Sequence, residues 1–112
     1  MLLPHADHAF IDPRKLAEYS LSPEHPVGGH KAIRFERVLG ITAQDAAVLQ
    51  EILIHVAGHA AAAAGRLDEF GQRYTIDFTL RTEVGAASIR SAWIVRPTED
   101  FPRLTTCFML PD

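Results

Sequence analysis

Cysteine is nearly absent from this chain: Cys107 stands alone among 112 residues. One thiol excludes an internal disulfide framework and any zinc site built from cysteines. Long apolar runs are missing as well. The longest, Ala60 to Ala64, is far too short to cross a bilayer. The opening MLLPHADHAF has no basic leader and no extended apolar stretch, so it does not read as a signal peptide. Nor is there an excess of positive charge, since 11 Lys and Arg face 14 Asp and Glu, for a net charge of −3. Contact with nucleic acid therefore has to rest on a local basic patch, not on a global field. The expected setting is a reducing one, the cytoplasm, reached either as a free chain or as part of a larger secreted protein. No membrane partner is expected.

What is present is ordinary for a globular protein: 47% apolar and 22% charged residues, enough for one domain over residues 1–112. Helical periodicity fills the first half. Asp12 is an N-cap and Pro13 a first helical residue, with Leu16, Tyr19 and Ser20 at helical spacing over 13–20. A second helix restarts after Gly29, with Ala32, Phe35, Val38 and Leu39 as its apolar stripe, Lys31, Arg34 and Arg37 on another side, and Gly40 as its stop. A third starts from a Thr42 cap, with Val48, Leu49, Ile52, Leu53 and Val56 inward. Its alanine-rich end is expected to stay helical as far as Gly65.

The period then changes to two. In QRYTIDFTLRT, Tyr74, Ile76, Phe78 and Leu80 point one way, and Arg73, Thr75, Asp77, Thr79 and Arg81 the other. AASIRSAWIVRP sets Arg90, Ala92, Ile94 and Arg96 against Ile89, Ser91, Trp93 and Val95. RLTTCFML sets Leu104, Thr106, Phe108 and Leu110 against Arg103, Thr105, Cys107 and Met109. Short turns between these strands predict an antiparallel meander. The segment HAFID is a candidate short edge strand. The fold class is therefore α+β: N-terminal helices packed on one face of a three- to four-stranded antiparallel sheet.

Four groups of residues could carry chemistry. The first is the non-core sheet face, with Arg73, Arg81, Arg90, Arg96 and Arg103 among threonines. Forked guanidiniums suit phosphate, yet a polar solvent face is normal for such sheets, and Asp77, Glu83, Glu99 and Asp100 neutralise part of it. The second is the loop SPEHPVGGHK. His25 can move a proton near neutral pH. Lys31 and Arg34, one turn apart, can hold a phosphate, and the helix start offers backbone N–H groups. The same residues also read as a connector and the wet side of a helix. The third is Glu51, His55 and His59 at i, i+4, i+8. This spacing suits zinc but lacks the glutamate of H-E-x-x-H and any clear further ligand. No metal or other cofactor is expected. The fourth is WIVRPTEDFPRLTT, in which Trp93 reads as core and Arg103 and Thr105 as projecting together. Cys107 reads as a buried or half-buried small residue, not a nucleophile.

Several stretches resemble an uncharacterised bacterial domain family found both free-standing and at the end of large polymorphic toxins. They are LAEYSLSPEHPVGGHKAIRF, GQRYTIDFTL, AWIV and FPRLTT. The most specific parts are H-P-x-G-x-x-K-A at His25 to Ala32 and P-R-L-x-T at Pro102 to Thr106. Helices followed by an antiparallel sheet also look like the barnase, EndoU, colicin and RelE group of metal-independent ribonucleases, although the acidic pI departs from a basic nuclease toxin. The resemblance implies a toxin-type endoribonuclease in which the RNA 2′-hydroxyl attacks its own phosphodiester. His25, Lys31, Arg103 and Thr105 would be catalytic, and Arg34, Arg81 and Arg90 would bind substrate. Its partners would be RNA, with tRNA as one candidate, and a cognate immunity or antitoxin protein; a homodimer is a further expectation. The competing expectation is a non-catalytic protein-binding module, immunity-like or phage accessory, which the acidic balance fits better.

Overall fold

The computed structural model describes residues 1–26 and 29–111. Val27 and Gly28, in the middle of the H-P-x-G-x-x-K-A stretch, lie outside the described residues. Helix α1 begins at Pro13–Lys15 and continues as a π-helical turn over Leu16–Ser20. The Asp12 carboxylate accepts from Arg14 N–H at 3.0 Å, as an N-cap should. Helix α2 runs over Gly29–Arg34 and likewise relaxes into a π-helical turn over Phe35–Leu39. Gly40 closes it at φ 69°, where an added Cβ would also sit 2.7 Å from Val84. Gly29 has a different reason to be glycine: a Cβ there would come 2.5 Å from the Pro23 carbonyl oxygen.

Helix α3, Ala46–His59, follows a 3-10 turn over Ala43–Asp45. The Asp45 carboxylate accepts from Thr42 N–H at 3.0 Å. Two expectations fail here. The helix stops at His59, not at Gly65, and Ala63–Asp68 forms a strand, β1, instead. Alanine's helix propensity is worth a few tenths of a kcal/mol per residue, and the chain uses the segment to extend the sheet. Val48 is also 58% exposed, because the buried line of the helix runs through Leu49, Leu53 and Ala57.

Strands β2 (Gly71–Arg81), β3 (Ala86–Val95) and β4 (Arg103–Met109) complete an antiparallel meander in the order β1-β2-β3-β4. The helices cover one face. Ile76, Leu80, Ile89, Trp93, Leu104, Cys107 and Met109 meet Leu16, Phe35, Leu39, Leu49 and Leu53 in a single apolar cluster. The Trp93 indole N–H donates to Ser91 Oγ at 3.0 Å, and Ser91 Oγ donates to the Ile76 carbonyl at 3.1 Å. The HAFID segment adds no strand beyond a single bridge, Phe10 to Arg103, parallel to the β4 edge.

Strict alternation fails on β4. A register shift beside Ala92 and Trp93 pairs Ala92 with Thr106 but Trp93 with Leu104. Thr105 is the extra residue of a β-bulge, and its hydroxyl donates to the Ala92 carbonyl at 3.1 Å. Leu104, Cys107 and Met109 therefore share the core face. Arg103, Thr106 and Phe108 lie on the opposite face, away from the helices.

Candidate functional site

Arg103, Thr105 and, through Phe108, Lys31 gather along β4. Phe10 N–H donates to the Pro102 carbonyl at 2.9 Å and Leu104 N–H to the Phe10 carbonyl at 3.0 Å, which lays the N-terminal segment beside the start of β4. Arg103 then sits over two rings, 4.7 Å from Phe10 and 5.5 Å from Phe101. Its Nε and Nη2 donate to the Glu99 carboxylate at 3.3 and 2.6 Å. That pairing raises the guanidinium pKa and holds the Glu99 carboxyl below its usual range. Arg103 is thus fixed in place, with Nη1 outside the fork.

His25 occupies the connector between α1 and α2. Its ring meets Tyr19 edge-on at 4.5 Å. It lines a shallow depression of about 280 Å³ with Asp12, Arg14, Lys15, Glu18 and Tyr19. The Arg14 guanidinium and backbone N–H hold the Asp12 carboxyl down at about 2. Asp12 is also near enough to Arg103 for its field to help raise that guanidinium's pKa. One carboxylate therefore lines the His25 depression and lies within electrostatic reach of Arg103.

Lys31 lies at the other end of the same strand, its ammonium 4.9 Å from the Phe108 ring centre. Arg103 and Phe108 pair with Ile94 and Arg90, four positions apart on β3, about 13 Å at the ordinary strand rise. Lys31 and Arg103 as they stand thus lie at separate points along one strand and do not converge on a single phosphate. The Thr105 hydroxyl, expected beside Arg103, is turned to β3 by the bulge. Thr106 takes the outer position, with its Oγ1 buried and without a hydrogen-bond partner among the described residues.

Across the sheet, the register aligns Asp77, Arg90 and Phe108 in one row. Arg90 Nε and Nη2 donate to Asp77 at 2.7 and 2.8 Å, which lowers the Asp77 pKa. Arg73 faces Asp68 at 3.6 Å, and Arg96 faces Glu99 at 3.9 Å. The guanidiniums of this face are thus locally balanced by carboxylates, Asp68 among them, whose part the alternation pattern hides. Arg34 is exposed on α2, and Arg81 is exposed at the end of β2, away from the row. Phe10, Asp12, Phe101 and Phe108 escape sequence reasoning. Only Glu99, four positions before Arg103 across a turn, leaves a readable signal.

On α3, the His55 and His59 rings stack at 4.2 Å, and His59 Nδ1 bonds the His55 carbonyl at 2.8 Å. They line a cleft of about 650 Å³ with Glu51 and Asp7. Among the described residues, no group of three or more His, Cys, Asp or Glu is placed to hold a metal ion. The Cys107 thiol is buried, and burial pushes it up to about 12 against the smaller pulls of Ser20 and Lys31. Among the described residues, no helix is long and apolar enough to cross a membrane.

No curated protein and no solved structure matches the chain. A family described as "Domain of unknown function (DUF6883)" matches residues 2–111, nearly the whole sequence, and the chain belongs to that family.

Proposed function

We propose that the protein is a metal-independent endoribonuclease of toxin type, with its cleavage centre where the His25 depression meets the Arg103 end of β4. The observation that supports this most is Asp12, which lines the depression of the half-buried histidine and lies within electrostatic reach of the clamped guanidinium. In the proposed reaction His25 takes the proton of a ribose 2′-hydroxyl. The O2′–P bond forms and the P–O5′ bond breaks, the departing 5′-oxygen takes a proton from water, and protonated His25 gives its proton to the hydroxide left behind. The products are a 2′,3′-cyclic phosphate and a 5′-hydroxyl. Arg103, preorganised by Glu99, faces the charge that develops on the phosphoryl oxygens. Lys31, Arg90 and Phe108 lie farther along the strand and act on the flanking RNA. Proton transfer by a placed side chain contributes a factor of about 10²–10⁴.

The test is inducible expression in bacteria followed by inspection of total RNA. Wild type should produce new fragments, while folded His25→Ala and Arg103→Lys should not. Harmless expression with intact RNA would remove the reading.

A second reading has its own observation. β1 is an edge strand, and Leu67 and Phe70 around the β1–β2 turn are 72% and 62% exposed. Exposed apolar residues at a sheet edge suit a protein partner that adds a strand, as a non-catalytic binding module would require. Expression that is harmless, together with a partner captured by wild type and lost in Leu67→Lys, would favour it.

A further inference from the structure

We propose that Phe108, flanked by Lys31 and Arg90, is a seat for one unpaired base of single-stranded RNA. This rests on the cleavage reading above and names its substrate as a single strand. Phe108 lies on the sheet face that the helices leave open, while its neighbours Cys107 and Met109 are in the core. It is only partly buried, and its cross-strand partner is Arg90. Arg90 uses Nε and Nη2 on Asp77, so its Nη1 faces away from the carboxylate fork. From the other side, Lys31 reaches the ring from α2.

An aromatic face between two cations matches a nucleotide, whose base has a π-face and whose phosphates are anionic. The ammonium now over the ring sits on a flexible stem. It can swing to a phosphate as a base takes its place on the ring. Hydroxyls surround the row, with Thr79 and Ser88 paired on one side and Thr75, Ala92 and Thr106 aligned on the other. A duplex cannot use this seat, because its base faces are already stacked and paired.

Separation along β4 sets the spacing. Phe108 is about 13 Å from Arg103, measured by their partners Arg90 and Ile94 on β3 at the ordinary strand rise, so the seated base lies beyond the nucleotide whose phosphate meets Arg103. The contact is made by stacking and charge, so the seat is indifferent to base identity.

Fluorescence anisotropy with a labelled 2′-O-methyl single strand, which cannot be cleaved by its own 2′-oxygen, reads this binding directly. Wild type should bind it more tightly than the matched duplex. Phe108→Leu should weaken binding by roughly 5- to 100-fold, the usual loss when an aromatic platform is removed. Phe108→Tyr should retain it. Lys31→Ala should reduce the slope of log K against log salt by about 0.7, one phosphate contact on a single strand. Circular dichroism confirms that each variant is folded. Should Phe108→Leu not fold, Phe108→Tyr and Lys31→Ala carry the test. Equal affinity for single strand and duplex, unchanged binding in Phe108→Leu, or no binding by wild type would overturn the proposal. Binding through Phe108 with an all-ribose strand left intact would keep this seat and remove the cleavage reading. Cleavage that is indifferent to Phe108→Leu would do the reverse.

Discussion

Ser91 shows how much one buried hydroxyl can organise. It accepts from the Trp93 indole and donates to the Ile76 carbonyl, and Ser91 and Trp93 are both almost fully buried. Ser91→Ala leaves the indole N–H without a partner and should cost about 1–3 kcal/mol, read as a lower midpoint in urea unfolding with an unchanged slope. Thr106 is the opposite case. Its Oγ1 is buried and unpartnered among the described residues, so Thr106→Val should leave the melting temperature unchanged or raise it. Cys107 is inert for a physical reason, since burial pushes its thiol up to about 12. A thiol reagent at neutral pH should label it only after unfolding. Rapid labelling of the native protein would show that the strand edge opens.

At the scale of elements, the β4 bulge decides which side chains face the open side of the sheet and which face the core. Under strict alternation Leu104 and Phe108 share one face, and a charge at either would have the same consequence. With Thr105 as the extra residue they lie on opposite faces. Leu104→Asp should therefore abolish the cooperative unfolding transition, since it buries an unpaired charge. Phe108→Asp should fold and melt cooperatively. If both variants unfold, or neither does, the bulged register is wrong.

Much of this level is legible in the residues alone. Asp12 and Thr42 as helix starts, Gly40 as a stop, and the alternation of β2 and β3 all follow from local chemistry. Two features do not. Ala60 to Ala64 prefer helix in isolation, and a tertiary strand partner outweighs that preference. The bulge leaves no mark, because RLTTCFML alternates well in either register until β3 is beside it. The site is less legible than the fold. His25, Lys31 and Arg103 announce their chemistry by residue type, but the Phe10 ring over Arg103 and the Lys31 ammonium over Phe108 arise from contacts between segments far apart in sequence.

For the whole molecule, charge is arranged locally. A net charge of −3 gives little steering toward RNA, and the cations of the open face stand in pairs with carboxylates. Those pairs set the response to acid. Arg14 holds Asp12 down at about 2, the Phe70 backbone N–H lowers Asp68, Arg90 lowers Asp77 and Arg103 lowers Glu99. A depressed folded-state pKa gives stability that is present above the unfolded value of about 4 and lost as pH falls through the folded value, which for Asp12 is about 2. Cys107 acts at the alkaline end. Its folded pKa is raised from 9.0 to about 12, so its contribution is intact below pH 9 and declines as pH rises through that interval. Thermal melts should show a plateau between these limits, and Cys107→Ala should soften the alkaline decline.

The most direct measurement for the central claim is a cleavage assay with purified protein and a single-stranded RNA in excess EDTA. Wild type should yield fragments ending in 2′,3′-cyclic phosphate and 5′-hydroxyl, and a folded His25→Ala variant should yield none above background. Intact RNA with folded wild type, or full cleavage by His25→Ala, would contradict a cleavage centre at the Arg103 end of β4.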